Sequence, residues 1–483
     1  MKRKIISFVF AFATMYGVAN GQSFTKHQML EDYNQLYKTL TDGVPHFGVR
    51  KKVTGVDIPK ELRRIRKDID TVTCDQGFYD VLFRAIDVCN DIHISIEPNE
   101  RVDSLAAQKT IDIFNHYYRC GYHKKSTYQK VVYIDGIYYT YPYCKGNDWY
   151  AVHIMSQLTH VNGIPVDEYV AGMNKKYSSS TRWDFKNGKA WTRDIYDPRL
   201  SVGADSFIWT IVENGETKNV NIGEMRRFQN SVFTERIFKV MYFDKDSTLY
   251  VRVPTMSWDE KDIEFVENEI AKYVDKPRNR VAIDVRENGG GTDMVWHRVL
   301  SAIIDKPLKY SLRQAVKSPK FLTDEDKNRY KYKLYGETFT GYYDDDSETT
   351  INPSERSIKY DGKIYVMVNQ NIFSSTMSLL AVCDKCERLV SVGEPTGYLC
   401  GMGGTPKVDI LRHSRLMYCY PYTIDITDVN PERPETIYKD KVEVVLHPSI
   451  RQASIELRYD KGITEEYLYQ YDWVFQWILN DGK

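Results

Sequence analysis

Two strand ends in this chain run into segments whose residues could act on an acyl group. The first is Ile283-Asp284-Val285-Arg286-Glu287-Asn288-Gly289-Gly290-Gly291, an apolar strand that ends in three glycines ahead of a helix-like stretch from Met294 to Ile304. Glycines leave backbone N–H groups unobstructed, and N–H groups at a helix start favour negative charge. The turn has neither the Lys-Ser/Thr of a phosphate-cradling loop nor the spacing of a dinucleotide site, which argues against those chemistries. The second is Asn369-Gln370-Asn371-Ile372-Phe373-Ser374-Ser375-Thr376-Met377, which follows the strand Ile364–Val368 and opens a helix-like Ser374–Cys383. A serine at a helix start is, alone, most simply an N-cap. A serine turn beside a glycine turn, however, supplies together what acyl transfer needs, a nucleophile and donors for an oxyanion. A third segment, Asp91-Ile92-His93-Ile94-Ser95-Ile96, carries one histidine among alternating isoleucines. Alone, that pattern describes a structural histidine on a strand.

Positioning the two turns takes an α/β core. Leu249–Val253, a helix-like 259–273, Val281–Val285 and Ile364–Val368 alternate strand and helix from about residue 229 onward. Residues 306–362 interrupt this grammar with a polar, Tyr-rich stretch containing Asp344-Asp345-Asp346, read as an insertion or lid and most simply as a mobile surface excursion. Residues 99–228 read as a β unit, with strands Val131–Ile134 and Ile137–Thr140 across Asp135-Gly136, and Phe207–Val212 and Val220–Ile222 across Asn214-Gly215. Residues 22–98 show helical periodicity at Met29, Tyr33, Leu36 and Leu40 and again at Phe78, Val81, Leu82 and Ile86. The fold class expected is therefore multidomain α/β, in keeping with a length of 483 residues.

The start of the chain, Lys2-Arg3-Lys4, an apolar run Ile5–Val18 and Ala19-Asn20-Gly21, reads as a signal peptide over 1–21, too short to span a bilayer comfortably. This predicts an exported protein, periplasmic or extracellular, with no stable membrane insertion after cleavage. Lys+Arg and Asp+Glu balance at 66 each, so no bulk field favours nucleic acid. Export permits disulfides, and Cys120 with Cys144, on two strand-like stretches, is one pairing the eight cysteines allow. Cys383-x-x-Cys386 reads as buried thiols or a disulfide, because no second pair or histidine cluster completes a metal site.

These segments resemble the C-terminal-processing (tail-specific) peptidases, serine peptidases related to the tricorn protease core and the interphotoreceptor retinoid-binding proteins. The resemblance rests on Asp284-x-Arg286-x-Asn288-x-Gly290-Gly291, on the Ser374 turn, and on Val392-Gly393-Glu394-Pro395-Thr396-Gly397, in the family's order, and extends loosely over 22–483. It implies a ClpP/crotonase-like β-α superhelical core over 229–483, a PDZ-like unit over 99–228 and a helical N-terminal unit over 22–98 carrying the base. Leu158–Val166, with its Asn162-Gly163 turn, is similar to the PDZ segment that takes peptide ends by strand addition. The position where part of the family keeps a lysine base holds Leu399. Asp91-x-His93-x-Ser95 instead resembles the histidine-using branch. The resemblance thus implies Ser374 as nucleophile, His93 as base, backbone N–H groups of Gly290 and Ser375 as oxyanion hole, and an orienting group among Ser95, Asp91, Glu394 and Glu432. The activity implied is hydrolysis of peptides, unfolded proteins or protein tails, with no metal or organic cofactor. Met377 departs from the family, which usually has Glu there. The alternatives are a catalytically silent member that binds peptides or hydrophobic ligands, and a surface scaffold that recruits partners through the PDZ-like unit.

Overall fold

The computed structural model describes residues 24–97, 128–141, 143–145, 148–153, 155–174, 181–184, 186–196, 206–227, 237–328, 331–335, 339–345, 348–397, 403–427 and 462–481. The leader 1–21, Cys120, the segment Tyr398-Leu399-Cys400 and Glu432 lie outside them. Among the described residues no helix is long and apolar enough to cross a membrane.

Met29, Tyr33, Leu36 and Leu40 fall on one face of α1 (Lys26–Gly43), which starts on a capping box between Thr25 and Gln28. Helices α2 (Phe47–Thr54), α3 (Ile58–Arg66) and α4 (Asp75–Cys89) close around it. Helix α4 stops at Asn90, whose φ of 45° turns the chain out of the helix into strand β1 (Ser95–Glu97). His93 lies in this short exit.

Three of the Asx-Gly pairs close hairpins of one kind. Asp135-Gly136, Asn162-Gly163 and Asn214-Gly215 have positive φ at both residues, the two-residue turn whose twist matches paired strands. They help build a sheet from β2 (Tyr128–Ile134), β3 (Ile137–Thr140), β4 (Gln157–Val161), β5 (Asp194–Tyr196), β6 (Ile208–Glu213) and β7 (Glu216–Asn221), in the order β5-β2-β3-β4-β6-β7. Helix α5 (Val166–Asn174) packs on it through Val166 and Val170, beside Trp209 and Leu158.

The central unit is a five-stranded sheet, β8 (Lys239–Phe243), β9 (Thr248–Arg252), β10 (Arg280–Asp284), β11 (Ile364–Val368) and β12 (Leu389–Gly393) in sequential order. Its first pair is antiparallel and the others parallel. Strands β9 and β11 are buried at every residue because both faces are covered. Leu249, Val251, Val281, Ile283, Ile364 and Val366 face α6 (Glu260–Ala271), α7 (Asp293–Ser301) and α8 (Ser375–Cys383). The alternate residues Tyr250, Ala282, Tyr365 and Met367 face α9 (Glu465–Gln470) and α10 (Trp473–Asn480).

The two ends of 306–362 are packed into the protein, where their polarity suggests a surface excursion. Leu308–Ser311 pairs with Glu348–Ile351, Gln314–Val316 pairs with Thr423–Asp425, and Leu308, Tyr310, Ile351, Ile358 and Tyr360 belong to the central core. The N-terminal helices also reach far along the chain. Strand Met417–Tyr420 pairs with β1, and Leu411, Leu416 and Tyr418 complete the helical core. Cys383 and Cys386 are free thiols, as are Cys74, Cys89 and Cys419.

Candidate active site

Strands β10 and β11 are parallel neighbours, so the glycine turn and the serine turn leave the sheet side by side. Asn288 shapes the first. Its Nδ2 donates to Val253 O at 2.9 Å, its Oδ1 accepts from Gly290 N at 2.9 Å, and its carbonyl accepts from Phe373 N at 3.0 Å. Glu287 braces the second, accepting from Asn369 Nδ2 at 2.7 Å and Asn371 Nδ2 at 2.8 Å. Ser374 emerges from these supports with φ 55° and ψ −124° and makes no side-chain capping bond. A non-glycine residue in that region costs roughly 1–3 kcal/mol, a strain found where a strand-to-helix turn pushes a nucleophile outward. The capping explanation for Ser374 therefore fails. Gly290 is tight against it, since a Cβ there would sit 2.6 Å from Ser374 Cβ. Met377 is buried in the central core, so an apolar contact replaces the glutamate the resemblance leads one to expect.

His93 meets this turn from the opposite side. Its Nε2 is 3.1 Å from Ser374 Oγ, and its ring stacks on Phe373 at 4.4 Å between centroids. Its Nδ1 is 3.2 Å from Asp91 Oδ1, off the line of an ideal hydrogen bond, while its backbone N–H donates to the same oxygen at 2.8 Å. Asp91 is completely buried on the other side, where its Oδ2 is 3.2 Å from Nε2 of His46. Burial alone would raise the Asp91 carboxyl, but the close His93 imidazole and the His93 N–H outweigh it and hold it below the usual carboxylate range.

Of the orienting candidates, Asp91 is the one found at His93 Nδ1. Ser95 lies on β1 opposite Cys419 and is hydrogen-bonded with that thiol. Glu394 is buried where β12 ends, its N–H donating to Val368 O at 3.3 Å. Glu432 lies outside the described residues.

Gly290 and Ser375, whose N–H groups the resemblance offers as oxyanion donors, differ in how free those groups are. The Gly290 N–H is engaged with Asn288 Oδ1, whereas Gly291 lines the cleft together with Ser375. Gly291 forms a bridge to Met256 through Gly290 O and Thr292 N. Peptide groups alternate along an extended chain, so that bridge turns the Gly291 N–H to the opposite side. Ser375 is the first residue of α8, where backbone N–H groups have no partner within the helix. The cleft measures about 430 Å³ and is lined by His93, Gly291, Asp293, Ser374, Ser378 and Gly404 among others. Asp293 accepts from Ser375 Oγ at 2.6 Å and from Trp296 Nε1 at 3.1 Å, which ties α7 to the serine turn.

Two features of this site had no signal of their own in the sequence. The Asn288 and Glu287 braces depend on which loops become neighbours. His46 sits before an unremarkable short helix, and only the fold brings it to Asp91.

Comparison with known proteins agrees with this architecture. Residues 247–417 match the model of peptidase family S41. Mature CPAF superposes with a TM-score of 0.54 at 16% identity, over 95% of this chain and 99% of that one. Mature CPAF complexed with lactacystin gives a TM-score of 0.53 at 15% identity, over 94% and 99%. No curated protein matches the chain in sequence. The mixed α/β fold and the matched region define a serine-type peptidase, a hydrolase of peptide or protein substrates. The likeness to peptidase family S41 is carried by residues 247–417, a region that contains β9 to β12 and both turns.

Proposed function

We propose that this protein is an exported serine endopeptidase in which Ser374 attacks, His93 moves the proton and Asp91 orients His93. The observation that carries this reading is the 3.1 Å separation of His93 Nε2 and Ser374 Oγ, within reach of direct proton transfer. His93 takes the Ser374 hydroxyl proton as Oγ bonds to the scissile carbonyl carbon. The resulting oxyanion accepts from the N–H groups of Ser375 and Gly291. His93 then protonates the departing amine, leaving an acyl-serine. Water, deprotonated by His93, releases the acid and restores Ser374. Each oxyanion donor of this kind contributes roughly 3 kcal/mol.

The catalytically silent alternative calls for an unproductive His93–Ser374 distance, and the observed one disfavours it. The test is labelling of purified protein with a fluorophosphonate, alongside cleavage of a denatured protein. Wild type is expected to label and cleave, with both reactions lost in Ser374→Ala and His93→Ala. Labelling that persists in Ser374→Ala would sink the assignment. Substrate capture by the β unit follows from the PDZ-like character of Leu158–Val166. It predicts slower cleavage of substrates whose C-terminus is amidated, and equal rates for free and amidated substrates would remove it. Export follows from the residues at 1–21, and an unprocessed, cytoplasmic protein in fractionated cells would contradict it.

A further inference from the structure

A second histidine lies behind the first. His46 stands at the N-cap position of α2 without a side-chain capping bond, its side chain is fully buried, and its Nε2 is 3.2 Å from Asp91 Oδ2, the carboxylate oxygen not used by His93. We propose that His46 is a positioning residue of the peptidase site, holding the far oxygen of Asp91 so that the carboxylate, and through it the His93 ring, stays aligned with Ser374. The proposal rests on Ser374 and His93 being the reacting pair.

A buried carboxylate needs partners for both of its oxygens. Asp91 is cut off from water, and one of its oxygens already accepts from the His93 backbone N–H at 2.8 Å and faces His93 Nδ1. The terminal torsion of an aspartate is broad, so a single anchored oxygen leaves the group able to swing. A buried charge with half its acceptor capacity unmet is also costly. A partner on Oδ2 removes both problems, and its chemistry matters. A lysine or arginine there would neutralise Asp91 and weaken its support of an imidazolium at His93. A neutral imidazole donates one N–H and leaves the full negative charge facing His93.

The surroundings keep His46 neutral. Burial pushes its pKa down to about 4 against the pull of Asp91, and the positive charges of Arg50, one turn along α2, and Lys317, from the strand region after Gln314–Val316, act in the same direction as burial, as does His93. Among the described residues the Cys89 thiol at the end of α4 also stands near Asp91, and burial pushes it up and so keeps it uncharged. Both imidazole–carboxylate contacts, at 3.2 Å and off line, are long for hydrogen bonds, as charge-relay contacts often are before substrate binds.

The experiment compares wild type, His46→Phe and His46→Gln, each titrated for reactive serine, following kcat and KM on one cleaved peptide across pH. Phe fills the space without a donor, and Gln returns an N–H. His46→Phe is expected to lower kcat by ~10–100-fold, taking as the scale what removal of the partner that orients a metal-bound histidine costs. KM should stay within about 2-fold, because substrate does not touch His46. The acid limb of kcat/KM should move to higher pH, since a carboxylate with one donor fewer holds a proton on His93 more firmly. His46→Gln should recover most of kcat and the wild-type acid limb. Wild-type kcat and acid limb in folded His46→Phe would overturn the proposal, whatever happens to its melting temperature. Equal loss in Phe and Gln variants with an unmoved acid limb would also overturn it, leaving His46 a packing residue. If His46→Phe does not fold, His46→Gln decides between these outcomes by its acid limb and kcat alone. Retained activity in Ser374→Ala or His93→Ala would instead reject the reacting pair, a failure separable from that of His46.

Discussion

The molecule contains two buried clusters built on nearly the same short pattern, Asp284-x-Arg286 at the end of β10 and Asp91-x-His93 at the exit of α4. In the first, each charged group is held by at least one opposite charge. Arg286 grips Asp284 with two bonds of 2.9 and 2.7 Å and reaches Asp472 at 2.7 Å, while Tyr250 OH donates to Asp284 at 2.6 Å and Arg252 joins at 3.1 Å. Burial would depress the Arg286 guanidinium, but Asp284 and Asp472 outweigh it and lock the charge in place. The cluster fastens β10 to the cap of α10. In the second, the chain of contacts runs from His46 through Asp91 to His93 and ends on a hydroxyl that opens into a cleft. A saturated network contributes to holding a structure together, whereas one with an open end can pass a proton on.

The comparison predicts that the second cluster governs rate and the first governs stability. Asp91→Asn should lower kcat by ~10³–10⁴-fold with only a small change in melting temperature, because the amide favours the wrong imidazole tautomer; a large loss of stability with normal kcat would erase the distinction. Arg286→Leu should cost about 3–5 kcal/mol in urea unfolding, since Asp284 and Asp472 are left facing each other in the interior. Its kcat per titrated site should remain close to wild type. A kcat as low as that of Asp91→Asn would mean that the two clusters share a function. A third measurement follows stability with pH. His46 has a native pKa of about 4 against an ordinary 6.5, so the native state binds fewer protons between those values. Its contribution is complete above pH 6.5 and is lost as pH falls through that window, by about 3 kcal/mol. Asp87, raised by burial and then by Asp80 from 3.8 to about 7, acts in the opposite sense there. The measurable quantity is therefore wild type minus His46→Phe, in which Asp87 cancels, and this difference should fall from pH 7 to pH 4. A difference independent of pH would mean that His46 is not held neutral. The smallest effect is expected from Phe373→Ala, which removes the ring stacked on His93 and should cost roughly 1 kcal/mol in kcat/KM.

Much of this site could be read from residues alone, and the boundary of legibility has a physical form. The serine turn and the glycine turn are local objects, each a strand end with its own loop, and their parallel strands follow from the apolar runs on either side. The hairpins follow likewise from Asx-Gly pairs. What stayed open were choices fixed by side-chain direction. Ser95 and Asp91 are both two residues from His93, but the αL turn at Asn90 folds the Asp91 carboxylate back onto the imidazole while β1 carries Ser95 to Cys419. Gly290 and Gly291 are indistinguishable in sequence, and the Asn288 side chain decides between them by occupying one N–H. The polarity of 306–362 misled for a related reason, because the apolar residues at its ends were too few to reveal that they enter the central core.

The histidine and the serine are separated by 281 positions along the chain, and the segment bearing His93 is sealed by a strand that begins at Met417. Synthesis runs from the N-terminus, and domains fold as their parts become available. A chain interrupted after Ser374 but before that strand lacks the partner that β1 pairs with, and so lacks part of what holds His93 in place. On the roles proposed for His93 and Ser374, the two reacting groups are thus brought into register only by the last part of the chain to be made.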